Sequence, residues 1–219
     1  MAENPSGSGN RMLERIAAIL DAVESGPATA TELARRTDLS VSTAHRLALS
    51  LTEYEFLSRD AEGRFARGAR FLRSSLETTA TPILAALRDR TQETSQLWVR
   101  SGDDRLCVAS VDSPHMLRAT LPVGDRQALP AGSPGRLLAR DAEAWEQIAR
   151  TGWVESVGAR TPGLGSVSAP VTVDGELIGA VCVAAPLARV TKSPGEDFGA
   201  AAVAAAEHLA RALTDAQPR

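Results

Sequence analysis

Four side chains near the start of one short segment, Ser42, Thr43, His45 and Arg46, have the chemistry to read a nucleic acid. A hydroxyl can donate to or accept from a base edge, and an arginine can fork onto guanine or hold a phosphate. The set suits sequence reading but names no sequence. Arginine recurs downstream at Arg59, Arg64, Arg67, Arg70 and Arg73, facing only Asp60 and Glu62. A second group, Ser133 in AGSPG with Asp112 and His115 upstream, has the residue types of an acyl-transfer triad. Its spacing is not Gly-x-Ser-x-Gly and no strand is expected directly before the loop, so catalysis is not expected. Cys107 and Cys182 stand far apart without neighbouring ligand residues. That argues against a metal site or a secreted disulfide framework and for a reducing cytoplasm.

The first four residues need a framework, and residues 31–56, TELARRTDLSVSTAHRLALSLTEYEF, supply one as a helix, a tight turn and a second helix. Thr29 and Glu32 have the spacing of a capping box, which fixes the start of the first of these helices. Leu33 and Ala34 face inward, Thr37 and Asp38 interrupt the pattern, and Ser40 caps the next helix. On that helix Leu47, Leu49 and Leu51 are available for the core. A preceding helix is expected over residues 10–25, where Leu13, Ile16, Ile19, Leu20 and Val23 recur at helical spacing before Gly26 and Pro27. After the pair, Phe56 and Leu57, a polar turn from Asp60 to Gly63, and Phe65 read as a short hairpin with arginines on its exposed positions. A capped helix pair alone often binds nothing. Three helices followed by a basic hairpin make a winged helix-turn-helix, whose wing supplies positive charge beside the inserted helix.

A chain of 219 residues allows one compact domain or two small ones, and 43% hydrophobic residues can bury a proper core. Aromatics are only 4%, so that core must be aliphatic. No run approaches roughly 18 apolar residues, and the start MAENPSGSGN is polar, so neither a membrane span nor a signal peptide is expected. The net charge of −3 is not that of a protein coating nucleic acid indiscriminately, and residues 1–75 hold ten Arg against ten Asp or Glu. The basic surface must therefore be local. Residues 1–9 read as a disordered tail, 10–75 as the winged helix-turn-helix domain, 76–81 as a linker and 82–216 as a second domain. A helix over residues 69–81 is expected to give way to another starting at Pro82. Beyond it SQLWVRSG, RLCVASVDS and LRATLPVG read as strands, followed by the PAGSPG loop, two short helices, the strands GSVSAPVTV and ELIGAVCVAAP, and a final alanine-rich helix. The expectation is an α+β chain, its antiparallel sheet covered by helices on one side.

Over residues 10–212 the chain resembles IclR-type bacterial transcriptional regulators. In the first half the resemblance rests on ILDAVESGPATATELARRTDLSVSTAHRLALSL. In the second it rests on LPVG, the small-residue loop before RLLA, the Gly-Trp segment leading to SVSAPV, and GAVCVAAP. The ESGPAT, STAHRLA and SVSAPV wording is similar to an actinobacterial subgroup regulating leucine and other amino-acid biosynthesis genes. The resemblance implies a winged-helix domain, a linker helix and a GAF-like effector-binding domain, assembled as dimers or dimers of dimers on palindromic double-stranded operators. Ser42, Thr43, His45 and Arg46 would lie at the major groove, with Ser40 capping their helix beside a phosphate. Arg11 and Arg15 on the first helix and Arg59 and Arg64 in the wing are candidate phosphate contacts. Arg46 has the alternative of a packing salt bridge, His45 that of a structural role, and the wing arginines that of a solvated surface. The effector pocket maps onto Gly132, Ser133, Ser156, Ser166 and Cys182; the alternatives are plain sheet core with no ligand bound, and a ligand-free protein that uses this domain only for dimerisation. Ser156 replaces an acidic residue common in the family, Ser166 replaces a cysteine, and Cys182-Val183-Ala184 replaces Ser-x-Ser. That uncharged set favours a small or apolar metabolite, such as an amino acid or keto acid, over a hydroxy acid or a glyoxylate-like effector. No cofactor and no metal are expected. The function expected is that of a cytoplasmic repressor or dual regulator.

Overall fold

A computed structural model describes residues 10–215, so the expected tail at residues 1–9, together with residue 216, lies outside the described residues. The chain divides into two compact units between Ser74 and Ser75.

In the first unit, α1 (Arg11–Ala22) starts where the Asn10 side chain accepts the Met12 amide. It stops three residues before the expected Ser25. Gly26, at φ 118°, then takes the backbone through a conformation that L side chains rarely adopt. The box at α2 (Ala30–Thr37) forms in both directions: the Thr29 hydroxyl accepts the Glu32 amide at 3.3 Å, and the Glu32 carboxylate accepts the Thr29 amide at 2.8 Å. Asp38 in the left-handed conformation ends α2, and Ser40 caps α3 (Val41–Glu53) by accepting the Thr43 amide. Ala34, Ala44 and Ala48 are small enough to let α2 and α3 pack closely, with Leu33, Leu47, Leu51, Ile19 and Val23 filling the core. Leu49 faces solvent, because a spacing of two is the period of a strand and cannot share a helix face with Leu47 and Leu51. Leu13 is likewise exposed.

The hairpin of β1 (Leu57–Arg59) and β2 (Phe65–Arg67) is antiparallel, and Ala28 adds a third rung by exchanging both backbone hydrogen bonds with Phe65. Phe65 is fully buried beneath the helices and fixes the wing to them. At its exit, Gly68 lies so close to the backbone of Glu55, Phe56 and Leu57 that no Cβ would fit.

The expected helix break at Pro82 does not occur. One helix, α4 (Ala69–Thr91), runs through it. An interior proline removes one helix hydrogen bond and crowds the carbonyl four residues back, and a helix can continue past it when burial offsets a penalty of about 3 kcal/mol. Here Ile83, Leu84 and Leu87 are all buried on the turns that follow.

The second unit is a six-stranded antiparallel sheet in the order β5-β4-β3-β8-β7-β6. It comprises β3 (Thr94–Ser101), β4 (Asp104–Val111), β5 (Arg126–Ala128), β6 (Val154–Val157), β7 (Leu164–Val173) and β8 (Glu176–Pro186). LRATLPVG is not a strand, and two short edge strands, β5 and β6, take up the sheet's ends instead. Helices cover both faces rather than one. Against one face α4 and α7 (Pro194–Asp215) bury Val167, Val171, Val181 and Val183 with Leu84 and Leu209. Against the other, α5 (Gly132–Leu138) and α6 (Ala142–Thr151) bury Trp98, Cys107, Ala180 and Cys182 with Leu137 and Ile148. A short 3-10 turn, Leu187–Arg189, follows β8. Among the described residues no helix is long and apolar enough to cross a membrane.

Candidate functional site

On the first unit, α3 presents Val41, Ser42, Arg46 and Leu49 to solvent. Arg46 forms no ion pair among the described residues, so the packing salt bridge raised as its alternative is not made. Ser40 donates to the Thr43 hydroxyl at 2.8 Å, leaving the Thr43 hydroxyl hydrogen for an outside acceptor. The Ser40 and Ser42 hydroxyls lie 3.2 Å apart. His45 is half-buried with its ring edge-on to Phe65 at 6.1 Å, so it supports the wing as well as facing outward. Arg11 and Arg15 are exposed one turn apart on α1.

Most arginines of the wing and its exit are engaged by neighbours. Arg64 is held by Asp60, with backbone amide and Nε at 2.7 and 2.8 Å, and by Glu62 at 3.6 Å. Arg59 lies over the Phe65 ring at 5.5 Å and donates to the Gly63 carbonyl. Arg70 covers Phe56, and Arg73 pairs with Glu55 at 2.7 Å. Arg67 is exposed, and its guanidinium makes no hydrogen bond or ion pair among the described residues. Acidic residues four positions from a cation were visible in the sequence and signal such capture.

On the second unit, the residues beneath α5 are small: Ser166, Ser168, Ala180, Cys182 and Ala184. A sheet and its covering layer stand about 10 Å apart, so such side chains leave space. The space is a cavity of about 470 Å³, mouth included, lined among others by Gly132, Ser156, Ser166 and Cys182. Ser133, the fifth expected pocket residue, lies just behind it and bonds to the Ser166 and Ser168 hydroxyls at 2.8 and 2.9 Å. Among the lining residues absent from the expected set are Trp98, Arg105 and Arg160. Arg105 is only 3% exposed, its guanidinium carbon lies 4.4 Å from the Trp98 ring centre, and its Nε and Nη1 have no hydrogen-bond acceptor. Burial, above all, pulls its pKa down. The signal for it was the strand period, since Arg105 and Cys107 are two apart on β4 and face the same side. The pocket is therefore charged, contrary to the uncharged set read from the sequence.

The imagined triad is not assembled. The Ser133 hydroxyl is taken by two serines, and Asp112 accepts from Arg118 and Thr120 at 3.2 and 2.8 Å. Strand β5 does lead toward the Ser133 loop, but no base accompanies it. Among the described residues no His, Cys, Asp or Glu group could hold a metal ion. Burial pushes the Cys107 thiol up to about 12 and raises Cys182 as well. Both thiols are thus expected to resist iodoacetamide at pH 8 in the native protein and to react on denaturation, which mass spectrometry reads directly. Above the ordinary thiol range the unfolded chain loses this proton first. Stability should accordingly fall as pH rises from about 9 toward about 12.

The profile of the IclR helix-turn-helix domain matches residues 12–61, and that of the bacterial transcriptional regulator IclR C-terminal domain matches residues 71–145, together more than half of the chain. The HTH-type transcriptional regulator BhcR of Paracoccus denitrificans is 28% identical over 242 residues, covering 92% of this chain and 86% of that protein. A crystal structure of an IclR-family transcriptional regulator from Rhodococcus sp. is 24% identical with a TM-score of 0.57, covering 96% of this chain and 97% of that one. The Thermotoga maritima IclR crystal structure is 19% identical with a TM-score of 0.56, covering 93% and 98%. At these identities the two structures speak for the fold, and the matched profiles for the family. With its capped α3, its wing and its sheet domain in the matched order, the chain belongs to the IclR family of bacterial DNA-binding transcriptional regulators and is not an enzyme.

Proposed function

We propose that this regulator reads an operator through the exposed face of α3, as a homodimer or dimer of dimers in the cytoplasm. A small metabolite in the second unit's cavity shifts operator affinity, making the protein a repressor or dual regulator. The observation that carries the DNA half is Arg46, exposed and unpaired beside Ser42 and Thr43 on a helix whose first turn is capped by Ser40. Val41 adds an apolar contact suited to a thymine methyl. Because the first unit is close to neutral, one copy has little electrostatic affinity, which favours presentation in pairs. The ESGPAT, STAHRLA and SVSAPV segments support a place in amino-acid metabolism.

Genomic footprinting supplies the operator, and anisotropy on that duplex supplies the test. Arg46→Ala is expected to weaken binding about 5- to 150-fold and to relax discrimination at one base position. Equal affinity of parent, Arg46→Ala and Thr43→Ala would overturn the assignment of α3. Arg67→Ala should lower the salt slope by about one, whereas Arg64→Ala, whose charge is already engaged by Asp60 and Glu62, should lower it less.

A further inference from the structure

Arginine is almost never buried without a partner, because a guanidinium removed from water loses its hydration and must recover it from acceptors. Arg189, in the same unit, obeys the rule through a two-point bond to Glu93. Arg105 does not. It is walled by Trp98 on its face, lies against Gly132 at the start of α5, and has Nε and Nη1 buried without an acceptor. No aspartate or glutamate lines the cavity, while a second cation, Arg160, stands at its mouth on the segment joining β6 and β7. The carboxylate whose charge is felt at Arg105 is that of Asp125, which itself accepts from Gln127 at 2.6 Å. The lining also holds the Gln96 amide, whose oxygen accepts from Trp98 Nε1 and whose nitrogen donates to Ser110, and otherwise small, apolar or hydroxylated side chains such as Leu121, Pro134, Leu164 and Ser156.

We propose that Arg105 is the anchor of an anionic effector, a small carboxylate without an ammonium group, its apolar portion lying against Leu121, Pro134 and Leu164. This rests on the reading of the cavity as the effector site and names the class of ligand it takes. A carboxylate supplies the acceptors that the guanidinium lacks, in the planar geometry a guanidinium matches. An amino acid would bring an ammonium group into a cavity holding two cations and no lining carboxylate. A 2-oxo acid or a simple carboxylic acid brings none.

The test uses the full chain, read by tryptophan emission, since Trp98 lies directly under Arg105, and by thermal midpoint. The probes are 3-methyl-2-oxobutanoate, pyruvate and benzoate, the uncharged amides of the same three acids, and valine. Carboxylates are expected to raise the midpoint and shift the emission, with the amides and valine much weaker. In Arg105→Met, carboxylate affinity should fall about 10- to 150-fold, and the probe-free midpoint should equal or exceed the parent's, because an uncompensated buried charge has been removed. Arg105→Lys, which keeps the charge but not the fork, guards against a packing effect of methionine and should recover only part of the affinity. If valine or the amides bind the parent as well as the acids do, and Arg105→Met keeps that binding, the anchor is wrong while the effector reading stands. If no probe shifts the parent and both Arg105 variants melt below it, Arg105 is structural and the effector reading falls too.

Discussion

Phe65→Ala is expected to lower the stability of the first unit by about 3–5 kcal/mol and to abolish operator binding. Phe65 is 0% exposed and ties together three things. It closes the bridge to Ala28, it carries the edge contact of His45 on α3, and its ring supports the Arg59 guanidinium. Small domains are stable by roughly 0.05–0.15 kcal/mol per residue, so a unit of this size has little beyond the expected loss. The three tryptophans, Trp98, Trp145 and Trp153, all lie in the second unit, whereas the single tyrosine, Tyr54, lies in the first. Helicity by circular dichroism should therefore fall at a temperature where tryptophan emission still reports a native second unit. A variant that melts and binds DNA like the parent would show that the wing is not held through this ring.

Arg189→Ala is expected to cost the second unit about 3–5 kcal/mol, because it strands a buried carboxylate. The Glu93 side chain is 3% exposed and receives Nε and Nη2 of Arg189 at 2.5 and 2.8 Å. That bond joins the end of α4 to the turn after β8, two points 96 residues apart in sequence. The Arg189 pKa is raised, chiefly by this bond. Adding Glu93→Gln to Arg189→Ala removes the stranded charge and should return a large part of the loss. Tryptophan-monitored urea unfolding of the four combinations measures the coupling. Single variants that each cost well under 1 kcal/mol would mean that the pair contributes only as surface ion pairs do.

The parts of the fold set by near neighbours could be read from sequence. Thr29 with Glu32, Ser40 before α3, and the turn at Asp174-Gly175 each need only residues a few positions apart. The α3 face with Ser42, Thr43 and Arg46 was legible for the same reason. What escaped depends on distant chain. Pro82 reads as a helix start until the burial of Ile83, Leu84 and Leu87 is known, and β5 and β6 are strands because a neighbour offers them an edge. Arg105 opens the RLCVASVDS segment with no local mark of its isolation, which follows from Trp98 on the neighbouring strand and Gly132 on a helix. The pairing of Arg64 with Asp60 is local, four residues apart, and could have been counted from the sequence.

The sheet's two faces divide tolerance to change between them. One carries interlocked valines and leucines under α4 and α7, where a lost methylene costs stability. The other carries serine, cysteine and alanine around open space, where exchanging one small group for another alters the shape and polarity of the cavity while leaving the opposite layer packed. If the cavity is the effector site proposed above, substitutions at Ser156, Ser166 and Cys182 would retune its ligand without unpacking the opposite layer, which makes this face the place to begin engineering a biosensor.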